Sequence, residues 1–157
     1  MLLEEHIEYE VVSINASQER INNFELIIIP SSNTLSEEEI KKLKHFQNKG
    51  GALVVIGKGA LNNKRDKFIF DLGAKYIGPS DFDMDYVQVR KELSNNLVSS
   101  PFITYLPGIK SEAVEDSNIL ADIKVPYFSR TLEKYNGHLY APNKLDKENY
   151  PAVLQYN

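Results

Sequence analysis

No cysteine occurs in the 157 residues. That absence excludes disulfides, thiolate metal sites, redox pairs and every mechanism built on a cysteine nucleophile. It leaves the compartment open, because a cysteine-free domain suits either redox environment. An excess of positive charge is missing too. Eighteen Lys and Arg against 22 Asp and Glu give a net charge of −4, spread along the chain with no basic stripe, so no nucleic acid is expected as partner. No apolar run approaches the roughly 18 to 20 residues that span a bilayer. The opening MLLEEHIEYE lacks the basic and apolar regions of a signal peptide, so no membrane partner is expected either. What remains, 42% hydrophobic and 25% charged, is the balance of one ordinary globular domain with a real core.

The first half alternates strand and helix signals. Glu8–Ile14 reads as a short strand, a polar stretch follows over 15–23, and Phe24-Glu-Leu-Ile-Ile-Ile-Pro30 has the continuous β-branched run of a strand buried on both faces. In Leu35-Ser-Glu-Glu-Glu-Ile40, Ser36 as N-cap with Glu39 three residues on predicts a capping box, and the three glutamates suit the positive end of a helix dipole. Ile40, Leu43 and Phe46 form the helix's apolar stripe, and Gly50 supplies the residue that ends it. Ala52–Ile56 then returns as a strand. Strand, helix and strand with short connections predict a parallel βαβ unit and, by extension, an α/β fold with a parallel sheet sandwiched by helices. Lys64–Leu72 reads as the next helix, closed by Gly73 before a strand at Lys75–Ile77.

The second half is expected to be β-rich. Tyr86–Leu93, Phe102–Leu106 and Tyr150–Tyr156 alternate like half-exposed or edge strands, with Asn, Ser and Pro in the turns between them. No repeat or interdomain linker is evident, so residues 1–157 read as one domain. Both ends read as excised from a longer protein.

The fragment GGALVVIGKGALNN at 50–63 invites a functional reading, since the turn after a buried strand is where α/β proteins cradle phosphates or display a nucleophile. Gly57-Lys58-Gly59 supplies two glycines of a dinucleotide fingerprint, but Asn62 stands where the third belongs and no helix follows at once. An elbow needs Ser or Cys, and residues 57–61 contain neither. Lys58 could act as an amine nucleophile only if desolvated; an exposed structural lysine is the plainer reading. Asp81-Phe-Asp-Met-Asp85, with Glu92 twelfth from Asp81, imitates an EF-hand loop, but Tyr86 occupies the position that needs glycine. A solvated acidic turn accounts for it as well, and a glycosidase acid/base pair would need two carboxyls facing across a cleft. His6, His45 and His138 have no ligand spacing, so neither a metal nor a cofactor is expected. Val125-Pro-Tyr-Phe-Ser-Arg-Thr131 and Lys134–Pro142 gather Tyr127, Arg130 and His138, residues suited to interface or ligand contact and equally to plain packing.

The order of these pieces resembles a known family. Phe24–Pro30, Leu35–Ile40 and Lys49–Gly57 look like the strand, capped helix and Gly-Gly strand of the β-galactosidase trimerisation domain of family-42-type glycoside hydrolases. That domain has a class I glutamine-amidotransferase-like, flavodoxin-like fold. Val125–Thr131 with His138, Pro142 and Tyr150–Val153 resembles a "PYFNRT…H…P…PAV" segment of a subgroup that includes α-fucosidase-like enzymes. In true amidotransferases the nucleophilic cysteine follows the strand that Ala52–Ile56 resembles, and here Gly57-Lys58-Gly59 stands in its place. The resemblance therefore implies a noncatalytic domain with no catalytic residue of its own. It would pair with the catalytic barrel domain of the same parent chain and assist homo-oligomer assembly or wall the barrel's active site, with Lys58, Asn62, Tyr127, Arg130 and His138 as contact residues. The other reading is a sugar or small-molecule binding module with a pocket at the carboxyl ends of the parallel strands.

Overall fold

The computed structural model describes residues 2–31, 34–95, 97–145 and 149–157. The local signals between Ser36 and Gly50 build what they predict. Ser36 accepts from the Glu39 amide at 3.3 Å, and the Ser36 amide donates to the Glu39 carboxylate at 2.7 Å. This box opens helix α2 (Glu37–Asn48), which follows the single-turn α1 (Gln18–Ile21). Gly50 ends α2 at φ +93°, a conformation that costs glycine nothing. Gly51 has a different reason to be glycine: a Cβ there would run into the Phe46 ring. On either side of α2, strands β1 (Leu26–Ile29) and β2 (Ala52–Val55) pair in parallel, with Leu26 opposite Ala52 and Ile29 opposite Val55.

Side chains of alternate parity leave a sheet on opposite faces. Ile27, Ile29, Leu53 and Val55 point to a core with Leu35, Ile40, Leu43, Ala60 and Phe70, so α2 covers this face. Leu26, Ile28 and Val54 point the other way and are exposed, as is Ile56 beyond β2. The flavodoxin-like parallel sheet sandwiched by helices is therefore corrected: the parallel part is one two-stranded pair with a helix on one face. The apolar run expected to be buried on both faces is buried on one.

The α/β alternation stops after β2. Residues 64–72 form no helix. The Asn62 side-chain oxygen accepts from the Asp66 and Lys67 amides at 3.1 and 3.4 Å, its amide donates to Asp66 at 2.8 Å, and Leu61 bridges Phe68. An asparagine that captures backbone N–H groups offers the chain an alternative to the helical ladder. The strand expected over Glu8–Ile14 does not form: residues 8–13 have no regular structure, Ile14 lies in a turn, and Val11 lies in solvent. β3 (Ala74–Pro79), the strand expected at Lys75–Ile77, pairs antiparallel with β6 (Ile109–Ala113), with a bulge at Tyr76 to Gly78.

The β-rich second half forms as expected. β4 (Asp85–Val89), β5 (Phe102–Thr104), β7 (Asn118–Lys124) and β8 (Asn149–Gln155) make an antiparallel sheet in the order β5-β4-β7-β8. Pro151 sits on the edge strand β8 beside a register shift between Ala121 and Asp122 of β7, the kind of position that tolerates a residue without an N–H. Ala121, Ile123 and Val125 on and just after β7 are buried, as are Met84 and Ala141. The result is a mixed α/β chain, β-rich and mostly antiparallel. Among the described residues no helix is long and apolar enough to cross a membrane.

Candidate functional site

Three places carry the chemistry named by the sequence. The first is the glycine turn after β2. Gly57 takes φ +54°, and a Cβ on Gly59 would strike the carbonyl oxygen of Pro30. The two glycines thus let the turn fold tightly over the end of β1, where the Lys58 amide donates to the Ser31 hydroxyl at 3.3 Å. The Lys58 side chain is exposed, without the desolvation an amine nucleophile needs. Asn62 lies in the next loop with its amide engaged there. Between that loop and the start of α2 is an open hollow of about 400 Å³, lined by Leu35, Glu37, Ile40, Asn62, Lys64 and Lys67 among others.

The second place is the acidic cluster, whose carboxylates go three ways. Asp81 pairs with the Lys110 ammonium at 2.8 Å, and that bond holds the Lys110 pKa above its ordinary value. Asp83 is exposed and its amide donates to the Ser129 hydroxyl at 3.2 Å. Asp85 is 1% exposed and accepts from the Ser80 hydroxyl at 2.9 Å and the Gly108 amide at 2.8 Å. None of the three lines the hollow beside α2 or the one at Arg130 and Tyr135, whereas a glycosidase pair needs two carboxyls facing across a cleft. Among the described residues no group of three or more His, Asp or Glu could hold a metal ion.

The third place gathers Tyr127, Arg130 and His138 in one loop over 127–140. Its base is closed by an antiparallel bridge between Pro126 and Asn143, with the Tyr127 amide donating to Pro142 at 3.0 Å and Lys144 to Val125 at 2.8 Å. Inside, Thr131 Oγ1 accepts from the Glu133 and Lys134 amides, Asn136 Oδ1 from the His138 amide, and Arg130 reaches the Leu139 carbonyl at 3.3 Å. The Tyr86 hydroxyl, donating to Ala141 at 2.7 Å, ties the loop's exit to β4, and burial pushes that phenol's pKa up. The loop holds its shape with its own polar groups and turns Tyr127, Leu132, Tyr135 and Leu139 outward. Arg130, Thr131, Leu132 and Tyr135 line an open hollow of about 500 Å³.

Tyr105 meets Tyr140 edge-to-face at 5.7 Å beside this loop. Tyr105, Leu132 and Tyr135 are not among the expected contact residues; their signal is the density of tyrosine and leucine around them. The two groups of expected contact residues are not brought together. No hydrogen bond or ring contact among the described residues joins Lys58 or Asn62 to Tyr127, Arg130 or His138. A rim of tyrosine, leucine and arginine with no carboxylate lining the hollow can contact a surface or a sugar, but it holds no acid/base pair.

The fold is one found inside a glycoside hydrolase. α-L-Fucosidase isoenzyme 2 from Paenibacillus thiaminolyticus contains it, with a TM-score of 0.88 at 24% identity over 98% of this chain. The chain spans 23% of the fucosidase's length. No family model and no curated protein matches the chain.

Proposed function

We propose that this chain is a noncatalytic domain of a bacterial glycoside hydrolase, serving oligomer assembly or the wall of a neighbouring barrel's active site. The carrying observation is the likeness to a segment of a fucosidase over 98% of the chain. The scattered carboxylates support the noncatalytic part. Asp81 is paired, Asp85 is buried on structural donors, and Asp83 stands apart from both. The 127–140 loop with Tyr127, Arg130 and His138 is the contact surface of this reading, and Lys58 and Asn62 are a lesser one. Kinship with β-galactosidase trimerisation domains rests on the residue patterns of Phe24–Pro30, Leu35–Ile40 and Lys49–Gly57 alone.

The test is hydrolysis by the 157-residue chain. Aryl α-L-fucosides and aryl β-galactosides should release no phenol, and turnover abolished by Asp83→Asn would refute the reading. The hollow beside α2 favours a second function, a sugar-binding module, because it lies beyond the carboxyl ends of β1 and β2. Saturable calorimetric titration with fucose or galactose, lost on alanine substitution of Asn63, which also lines this hollow, would select that function.

A further inference from the structure

We propose that the bare outer face of the β1–β2 pair is the seat of a neighbouring domain joined covalently to this chain, which lays an apolar layer over Leu26, Ile28, Val54 and Ile56. The inference rests on the reading that the chain is one domain of a longer hydrolase. The four side chains are 48%, 42%, 42% and 51% exposed. Register makes them one surface: Ile28 is opposite Val54, Leu26 is opposite the exposed Ala52, and Ile56 continues the same parity.

A sheet face built for water alternates polar residues on its outer side, as in antiparallel sheets with one wet face. This face carries no polar side chain at any outward position of either strand. Parallel βαβ sheets ordinarily carry helices on both faces, and α2 supplies only one. The covering layer is therefore owed by something outside these residues.

The area decides between a second copy and a tethered neighbour. Four half-exposed branched side chains present on the order of 300 Å² of apolar surface, the size of the largest patch on an ordinary monomer. A free, specific association buries ~800 Å² per partner. The face is too small to hold a second copy from dilute solution. A domain on the same polypeptide binds at an effective concentration in the millimolar range, where a patch of this size suffices. The fucosidase has that arrangement available, since this fold fills 23% of its chain.

The test compares hydroxyl-radical labelling of Leu26, Ile28, Val54 and Ile56 in the 157-residue chain and in the natural polypeptide purified from its source. Labelling should fall several-fold in the longer protein, while exposed Leu132 in the other half serves as reference. Ile28→Lys with Val54→Glu, an opposite-charge pair across the two strands, should change the urea midpoint of the isolated chain little and lower the unfolding temperature of the longer protein. Equal labelling in both proteins overturns the inference and leaves the proposed function standing. An isolated chain that dimerises at micromolar concentration, and returns to monomer on Ile28→Lys, makes a second copy the occupant and also overturns it. A natural polypeptide whose intact mass is that of the 157 residues overturns the proposed function itself.

Discussion

Asp85 offers the sharpest test of the claim that the acidic cluster is architecture and not catalysis. Its carboxylate is buried at 1% exposure and receives the Ser80 hydroxyl on one oxygen and the Gly108 amide on the other. It thereby ties the turn before β4 to the loop before β6. Hydrogen bonds to a charged group contribute about 1.5–3 kcal/mol each, and each buried donor left without a partner costs ~1–3 kcal/mol. Asp85→Ala removes the acceptor of both bonds, and the two costs overlap, so a loss of about 3–5 kcal/mol is expected. Asp85→Asn keeps the volume and one acceptor but sets an NH₂ against a donor, for a loss of roughly 1–3 kcal/mol. In a domain of this length each kcal/mol lowers the melting temperature by about 2–4 °C. The chain has no tryptophan and nine tyrosines, so far-UV circular dichroism in urea is the assay, with tyrosine emission as second probe. An Asp85→Ala variant within about 0.5 kcal/mol of the parent, the range of ordinary surface substitutions, would refute the reasoning. Asp83→Asn, at an exposed carboxylate, is the matched control and should lie within that range.

Two further outcomes follow from the packing. Gly51→Ala should destabilise by about 1–3 kcal/mol because its methyl would overlap the Phe46 ring. Gly137→Ala, with nothing within 4 Å of the new methyl, should change the urea midpoint little. Burial raises the Tyr86 pKa above the ordinary phenol value of 10.0, so the folded chain holds that proton where the unfolded chain sheds it. This contribution is fully present below pH 10 and is lost as pH rises from 10 through the raised value. Tyr86→Phe should cost about 1 kcal/mol at neutral pH through the bond to Ala141. It should also flatten the fall of stability above pH 10, read from urea midpoints across the alkaline range.

Much of the candidate site was legible as residues and little of it as geometry. Tyr127, Arg130 and His138 were named from composition, and they do share one loop. That the loop is braced by Thr131 and Asn136 and opens beside a Tyr105–Tyr140 pair depends on contacts far apart in sequence. Asn62, read as a contact residue, lies where expected, after the glycine turn. Its amide, however, captures the amides of Asp66 and Lys67, and this also removes the expected helix over 64–72.

Local bonds and local sterics are legible in the residues themselves. Ser36 and Glu39 are three residues apart and close their box within one turn; Gly50 ends α2; the alternation at 102–106 and 150–156 yields strands at 102–104 and 149–155. The lack of cysteine disposed of a whole chemistry before any fold was known. Strand pairing is settled by long-range packing, because a period of two marks a strand without naming its neighbour. β3 was free by pattern to extend the parallel sheet and instead met β6. The same holds for burial: Leu-Ile-Ile-Ile reads alike whether one face of the strand is covered or both. Packing covered Ile27 and Ile29 with α2 and left Leu26 and Ile28 bare.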